Sequence, residues 1–251
     1  TAATSALALS IVKGSEWGWS SARVVGLLTF TVVGTGFLAR RISRHDDPIL
    51  PLPLLAIPSF RVAISSLFLF GLGFFSSMLV VVLYLTEMAG YSTVRTGFGV
   101  SVLATMAFTT ANFSGRLADR FGHRRIAVPG MCSFILGCLW LYQSAGANPS
   151  FFVDVFPALV LMGVGIGSGP TLLSAAAVSE VDPSNFSVAG AVAQTARQLS
   201  GAIGISIAVA LSGSNADEDA FRATFLYLTI VAAMSAIAAL KLPAANATRK
   251  L

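Results

Sequence analysis

Long apolar runs separated by short polar turns dominate the chain. A helix needs about 20 mostly apolar residues to cross a bilayer, and helices that are apolar on every side are typical of membrane interiors. Six runs fit this description: approximately Val62–Leu85, Gly97–Phe113, Ile126–Tyr142, Val155–Val178, Val188–Leu211 and Phe221–Leu240. The pattern therefore predicts an all-α membrane protein with a bundle of six spanning helices.

The first sixty residues follow a different pattern. Thr1–Val12 is apolar but too short to span, so it predicts the second part of a helix that begins upstream; Val24–Ala39 predicts one full span. Four prolines then prevent helix continuation and predict an extended link along the membrane surface: Pro48, Pro51, Pro53 and Pro58. We expect two parts, residues 1–59 with about one and a half helices and a cytoplasmic link, and residues 60–251 with the six-helix bundle. On this interpretation the chain is a fragment of a larger membrane protein.

Composition supports this class and excludes others. Charged residues make up 11% of the chain, whereas soluble domains average about 25%, so too few are present to coat a soluble core. The net charge of +5 does not indicate a nucleic-acid partner, because the charges cluster at the ends of apolar runs. Cys132 and Cys138 share one apolar run and fit buried thiols better than a redox pair. We expect no metal site, no cofactor and no catalytic site.

The positions of lysine and arginine predict the orientation of the helices. Most of the 16 fall on one side of the predicted membrane, around Arg40–Arg44, Arg116–Arg125 and Lys241–Lys250. Loops rich in these residues face the cytoplasm in multi-pass proteins. We therefore expect a multi-pass protein of the cell membrane whose C-terminus is cytoplasmic.

Small residues recur within two predicted spans and predict close contacts between helices. In lipid, small side chains allow helix backbones to approach each other. The positions are Gly163, Gly165, Gly167, Gly169, Gly201 and Gly204. We expect packing seams along these helices.

One turn between predicted spans, Gly115–Arg125, carries more than topology requires. It reads GRLADRFGHRR. By charge alone such a basic loop would only orient the chain, but orientation needs neither glycine nor aspartate. A carboxylate near an arginine or a helix N-terminus is stabilised by about 0.3–1 kcal/mol, which suits a latch that forms and releases. The candidate cytoplasmic gate comprises Gly115, Asp119, Arg120, Gly122 and Arg124.

The same stretch resembles the basic loop signature of the major facilitator superfamily, G-x-L-x-D-R-x-G-R-R/K. The matching positions are Gly115, Leu117, Asp119, Arg120, Gly122 and Arg124, while His123 replaces the usual Arg or Lys. Other segments resemble the fourteen-span drug:proton antiporter branch of that superfamily: Trp17–Ser21, Asp47-Pro48, Leu83–Leu85, Gly90–Ser92 and Arg197–Gly201. Thr86 and Ser200 depart from it, since Gln and Gly are common there. The resemblance implies two central helices followed by the six-helix C-terminal domain of a transporter, and it covers nearly the whole chain.

Arg197 is the second candidate for a functional role. It lies near the middle of a predicted span, where an arginine costs roughly 2.5–3.5 kcal/mol on insertion scales, so it should face protein or a watery cavity. Gln194 and Gln198 flank it at helical spacing and complete a polar stripe. Arg197 is therefore either a cavity or gate residue or a structural hub that bonds to backbone carbonyls.

The family resemblance also implies a substrate cavity lined by the first and fourth of the six spans. Aromatic and methionine side chains with few charges suit large lipophilic ligands. The candidates are Phe74, Ser77, Met78, Tyr84, Met162, Gly165 and Ser168. The same residues would also pack an ordinary seam between helices.

The leading hypothesis is the C-terminal portion of a secondary active transporter. It would export drugs or other lipophilic or cationic small molecules in exchange for protons, by alternating access. Its expected partners are the small-molecule substrate, protons, the lipid bilayer and the missing N-terminal half of the same protein, which the resemblance implies holds the proton-carrying carboxylate. The alternatives are a nutrient or metabolite permease of the same fold and a membrane sensor or scaffold without a transport cycle.

Overall fold

A computed structural model describes residues 6, 9–10, 17–18, 21–42, 54, 56–146, 149–179, 181–212 and 217–242. Within these residues the regular structure is entirely helical, which confirms the all-α class. The seven helices are α1 Ala22–Ile42, α2 Pro58–Leu83, α3 Thr93–Phe121, α4 His123–Ser144, α5 Phe156–Val178, α6 Phe186–Ser212 and α7 Glu218–Ala239. A π-helical turn, Tyr84–Met88, extends α2, and another, Phe151–Val155, leads into α5. Most of the predicted half-helix Thr1–Val12 and most of the proline-rich link lie outside the described residues.

Local sequence signals fix several helix ends. Pro58 begins α2, where its missing N–H costs no helical hydrogen bond. The Ser92 side chain accepts a hydrogen bond from the Arg95 N–H at the start of α3. At α7 the Asp217 carboxylate accepts one from the Ala220 N–H at 2.8 Å. Such caps pair N–H groups that the helix itself leaves free.

Helices α2 and α5 lie at the centre of a six-helix unit, α2–α7. The unit consists of two sets of three consecutive helices, α2–α4 and α5–α7. The middle helix of each set packs mainly on the first helix of the other set: α3 packs on α5, and α6 packs on α2. The outer helices α4 and α7 pack on each other and on the central pair. The first and fourth helices of the unit are therefore its core.

Glycines bring the central helices into near-contact with their neighbours. A Cβ on Gly163 would lie 2.7 Å from the Leu103 carbonyl oxygen of α3, and one on Gly165 would lie 2.7 Å from the Gly130 carbonyl oxygen of α4. On α6, a Cβ on Gly204 would lie 2.8 Å from the Cα of Leu72. Contacts this short leave no room for a methyl group, so the predicted packing seams are confirmed.

Two hydrogen bonds fasten the outer helices to the central ones. The Ser235 hydroxyl of α7 donates to the Ser66 carbonyl of α2 at 2.7 Å. The Ser133 hydroxyl of α4 donates to the Leu161 carbonyl of α5 at 2.8 Å. Bonds of this kind between membrane helices contribute about 0.6 kcal/mol on average, so they add specificity to seams that packing already holds.

Four helical segments in the described residues are long and apolar enough to cross a membrane: Pro58–Met88, His123–Ser144, Phe151–Val178 and Glu218–Ala239. They correspond to α2, α4, α5 and α7. The predicted spans Gly97–Phe113 and Val188–Leu211 do form long helices, α3 and α6, but these two contain more Ser, Thr, Asn and Gln. The unit therefore combines four strongly apolar helices with two that are more polar.

Candidate functional site

The basic stretch Gly115–Arg125 is helical except at Gly122, so the turn predicted over the whole stretch is confined to one residue. Helix α3 continues to Phe121, and α4 begins at His123. Arginine, leucine and alanine favour helix strongly enough to offset one glycine. We call this region the α3–α4 junction, residues 115–125.

Gly122 alone makes the turn of the α3–α4 junction. Its backbone has φ 91° and ψ 145°, a region that is essentially restricted to glycine. Its N–H donates to the Ala118 carbonyl at 2.8 Å and so ends α3. Gly115 differs, because a Cβ there would meet nothing within 4 Å. The first glycine of the stretch is therefore not required by packing within the unit.

Asp119 lies in the last turn of α3, and its side chain is exposed. The Asp119 carboxylate forms no hydrogen bond and no ion pair with any described residue. The expected pairing with Arg120 or Arg124 is therefore not made in this structure. The arginines bind elsewhere: the Arg120 guanidinium lies 5.4 Å from the centre of the Phe121 ring, and Arg124 Nη1 donates to the Leu242 carbonyl at 3.5 Å. The latter contact ties the α3–α4 junction to the end of α7.

Arg197 and Gln194 are brought together on α6. Arg197 Nη2 donates to Gln194 Oε1 at 2.7 Å, and the arginine side chain is half-buried. The Gln198 side chain is exposed, and its amide makes no hydrogen bond with another described residue. The hub arrangement would need bonds from Arg197 to backbone carbonyls, and none is formed to the described backbone.

Ser200, which departs from the branch pattern, has a structural partner that sequence reasoning missed. Its hydroxyl donates to the Arg197 carbonyl at 2.8 Å. Gly71 of α2 lies directly opposite, and a Cβ on Gly71 would collide with this hydroxyl. The extra side chain on α6 is therefore accommodated by a glycine on α2.

Three cavity candidates lie inside the unit, which fits the alternative that they pack a seam between helices. The Tyr84 ring packs edge-on against Phe221 and Phe225 of α7, with centroids 5.5 Å away in both cases. Met162 and Ser168 of α5 both face α4, where they fill the space beside two glycines. These side chains are at most 2% exposed, so they do not line a surface that a ligand can reach here.

The other cavity candidates divide between interior and surface. Ser77 is fully buried, and its hydroxyl donates to the Phe74 carbonyl at 2.7 Å. Gly165 packs against α4, as described above. Phe74 and Met78 lie one turn apart on a partly exposed face of α2. Only this pair keeps the accessibility that a substrate contact requires.

A polar and aromatic surface on α3 was missed by sequence reasoning. Ser101, Thr105 and Asn112 recur at helical spacing on its exposed side, together with Phe98 and Phe108. The Asn112 amide donates to the Phe108 carbonyl at 2.9 Å and the Ser101 hydroxyl to the Gly97 carbonyl at 2.8 Å. Such bonds within the helix lower the cost of polar groups in a membrane. The spacing of these polar groups by four and seven residues, about one and two helical turns, was the signal available in the sequence.

No group of three or more His, Cys, Asp or Glu side chains able to hold a metal occurs in the described part of the chain. The candidate site thus consists of the helix surfaces described above and of the α3–α4 junction.

Comparison with known proteins identifies the family. The model of the Major Facilitator Superfamily matches residues 2–205 and 65–251. The chain belongs to the major facilitator superfamily. Members of this superfamily are multi-pass membrane transporters, and the assignment agrees with the basic signature at the α3–α4 junction.

Curated relatives are resistance and export proteins, as expected for the drug:proton antiporter branch. The tetracenomycin C resistance and export protein of Streptomyces glaucescens is 26% identical over 208 residues, covering 83% of this chain and 38% of the relative. The multidrug resistance protein Stp of Mycobacterium tuberculosis is 24% identical over 210 residues, covering 82% and 38%. The tetracycline resistance determinant of Streptomyces rimosus is 27% identical over 197 residues, covering 78% and 56%. The chain thus spans well under two thirds of the length of these relatives.

Proposed function

We propose that the chain is the C-terminal portion of a secondary active exporter of drugs or similar lipophilic or cationic small molecules. The six-helix unit would rock against an N-terminal half of the same protein, with the substrate bound between them near the middle of the membrane. The resistance and export functions of the relatives support the substrate class.

The observation that carries this proposal is that α3 and α6 expose polar side chains along their length. Gln194 and Gln198 of α6 and Ser101, Thr105 and Asn112 of α3 are exposed. Polar side chains inside a membrane normally face protein or a water-filled path. Helices α3 and α6 are therefore the surfaces that best suit contact with a second half or with a substrate path.

We further propose that the α3–α4 junction acts as a cytoplasmic gate. Asp119 is exposed and unpaired among the described residues, and a Cβ on Gly115 would meet open space. Both features suit a surface that pairs with another part of the transporter in one state and separates from it in the other. Gly122 would set the turn, and Arg120 and Arg124 would supply the positive charge.

Transport is tested with the whole protein in liposomes across which a pH gradient is imposed. We expect export of lipophilic and cationic dyes that follows the gradient and stops when a protonophore collapses it. Export that persists with the protonophore would remove proton coupling from the proposal. Uptake of polar metabolites without dye export would favour the permease, and the absence of any flux would favour a sensor or scaffold.

The gate is tested by Asp119→Asn in the same system, with Asp182→Asn as the matched control in another turn. We expect the first variant to lose most of its export and the second to keep it. The side of the junction is tested by labelling Phe121→Cys in a Cys132→Ser background, because Cys132 is exposed, contrary to the prediction of two buried thiols, and Cys138 is buried. Labelling by an impermeant reagent from outside intact cells would contradict a cytoplasmic position.

A further inference from the structure

A groove between α2 and α7 lies apart from the exposed surfaces of α3 and α6 and from the α3–α4 junction. It has a volume of about 420 Å³ and opens to the outside of the unit. The residues that line it are Arg61, Val62, Ser65, Leu69, Met234, Ile237, Ala238 and Lys241. Two cations thus share a concave surface that is otherwise almost entirely apolar.

The cations lie at one end of the groove and the apolar residues extend away from them. Arg61 is in the first turn of α2, and Leu69 follows eight residues later, which is about 12 Å along a helix. Lys241 follows the end of α7, and Met234 precedes it by seven residues, or about 10 Å. The groove therefore runs along both helix axes, from a positively charged mouth into the apolar part of the bundle.

Neither cation at this mouth is neutralised by protein in the described part of the chain. Arg61 and Lys241 are both exposed and form no ion pair there. Arg222 differs: it pairs with Glu218 at 2.7 Å near the other end of α7. Two positive charges at one mouth repel each other, so an anion between them would stabilise the arrangement.

The mouth also lies at the end of the unit that carries the α3–α4 junction. Arg124 of that junction donates to the carbonyl of Leu242, the residue after Lys241. Positive charge predicts that this end is cytoplasmic. The cytoplasmic leaflet is the one rich in anionic lipids, and basic pockets between membrane helices on that side bind their head groups.

We propose that this groove binds one anionic phospholipid of the cytoplasmic leaflet. Arg61 and Lys241 hold the phosphate, and an acyl chain lies along Leu69, Met234 and Ile237. Met234 and Ile237 are 49% and 62% exposed, so a chain laid against them would cover apolar surface that protein leaves open. The proposal rests on the position of the unit in the membrane and does not require the transport activity proposed above.

The proposal is tested by native mass spectrometry of the whole protein after reconstitution in an equal mixture of phosphatidylglycerol and phosphatidylcholine. We expect one retained phosphatidylglycerol in the wild type. In the double variant Arg61→Gln/Lys241→Gln, the fraction of protein that retains phosphatidylglycerol should fall about tenfold or more. The matched control, Arg116→Gln/Arg125→Gln, removes the same charge from the same end but outside the groove and should retain the lipid.

A second pair of variants tests the groove itself with both cations present. Ala238→Phe places a ring in the groove and should expel the lipid, whereas Ala223→Phe places the same ring on the exposed side of α7 away from it. Equal retention of the two lipids by the wild type would overturn the proposal, even if every variant failed to fold. The proposal would also be overturned if the two double variants lost the lipid to the same extent. The same conclusion would follow if Ala238→Phe left lipid retention unchanged.

Discussion

Helices α3 and α7 each leave one side exposed along most of their length, and the chemistry of the two sides differs. Beyond the first turn of α7 the exposed residues are Ala223, Leu226, Ile230, Met234 and Ile237. On α3, exposed phenylalanines are mixed with Ser101, Thr105 and Asn112. A purely apolar side suits lipid, whereas aromatic groups mixed with polar ones are typical of contacts between proteins.

Helices α4 and α6 repeat the same contrast. The exposed side of α4 includes Leu136 and Trp140, and that of α6 includes Gln194, Thr195 and Gln198. Away from its helix ends the outer pair, α4 and α7, is thus apolar where it is exposed, and the middle helices of each set, α3 and α6, are not. The difference indicates that exposure has two meanings in this unit: contact with lipid on one side and with protein or water on the other.

The largest effect is expected from placing a charge on the lipid side. Ile230→Asp on α7 should hinder insertion by about 2.5–3.5 kcal/mol, because a carboxylate near the middle of a lipid-facing helix has no polar neighbour. Thr105→Asp on the exposed side of α3 should cost clearly less. Membrane insertion of each variant, measured by glycosylation of engineered sites, checks the difference. Equal losses would mean that both helices face lipid.

The next effect concerns the two sides of α6. Gly204→Ala should destabilise the protein by about 1–3 kcal/mol, since the new methyl group would collide with the backbone of Leu72. Gly190→Ala on the same helix meets nothing within 4 Å and should be neutral or stabilise the helix by up to about 1 kcal/mol. Thermal unfolding in detergent separates the two. A stabilising Gly204→Ala would contradict the close packing of α6 on α2.

A loss of similar size is expected where α3 ends and α4 begins. Gly122→Ala should cost about 1–3 kcal/mol in backbone strain, because an L residue rarely adopts φ 91°. Gly115→Ala, within the same junction, should not reduce the stability of the unit. Thermal unfolding measures the first effect, while dye export reports any separate role of Gly115. A stability loss that is the same for both would locate the constraint elsewhere.

The smallest effect is expected at Asp182, in the turn between α5 and α6. Hydrogen bonds from the Ser184 hydroxyl and N–H lower the pKa of this exposed carboxyl. A lowered pKa means that the ionised form is favoured in the folded state. Its stabilisation is therefore present above the ordinary aspartate pKa of about 3.9 and is lost as the pH falls through the lower, folded value. Asp182→Asn should slightly flatten the decline of the unfolding temperature in acid; a steeper decline would contradict this sign.

The sequence predicted the positions of the helices and their close contacts better than it predicted which side of each helix is buried. Apolar length and proline positions were enough to place six of them, and the glycines at 163–169 and at 204 did mark close contacts. Which side of a helix faces inward could not be derived in the same way. Because α2 and α5 are apolar all round, no periodicity distinguished the buried Tyr84 and Met162 from the accessible Phe74.

The α3–α4 junction shows a second limit of sequence reasoning. Two glycines and several charges between apolar runs look like a loop, yet the chain stays helical through Gly115 and turns only at Gly122. Helix propensity within Arg116–Phe121 is a local property that the apolar pattern does not reveal. The absence of an Asp119 partner among the described residues depends on side-chain geometry, which the motif alone cannot supply.

The glycine contacts have a mechanical consequence. Gly163 contacts the Leu103 carbonyl, and Gly204 contacts the Leu72 backbone. The helices therefore touch through their backbones at these points, without flexible side chains between them that could rearrange during a conformational change. We expect the pairs α3–α5 and α2–α6 to travel as inflexible blocks. Spin-label distances within each pair should then stay constant through a working cycle, even as distances from either pair to the rest of the transporter change.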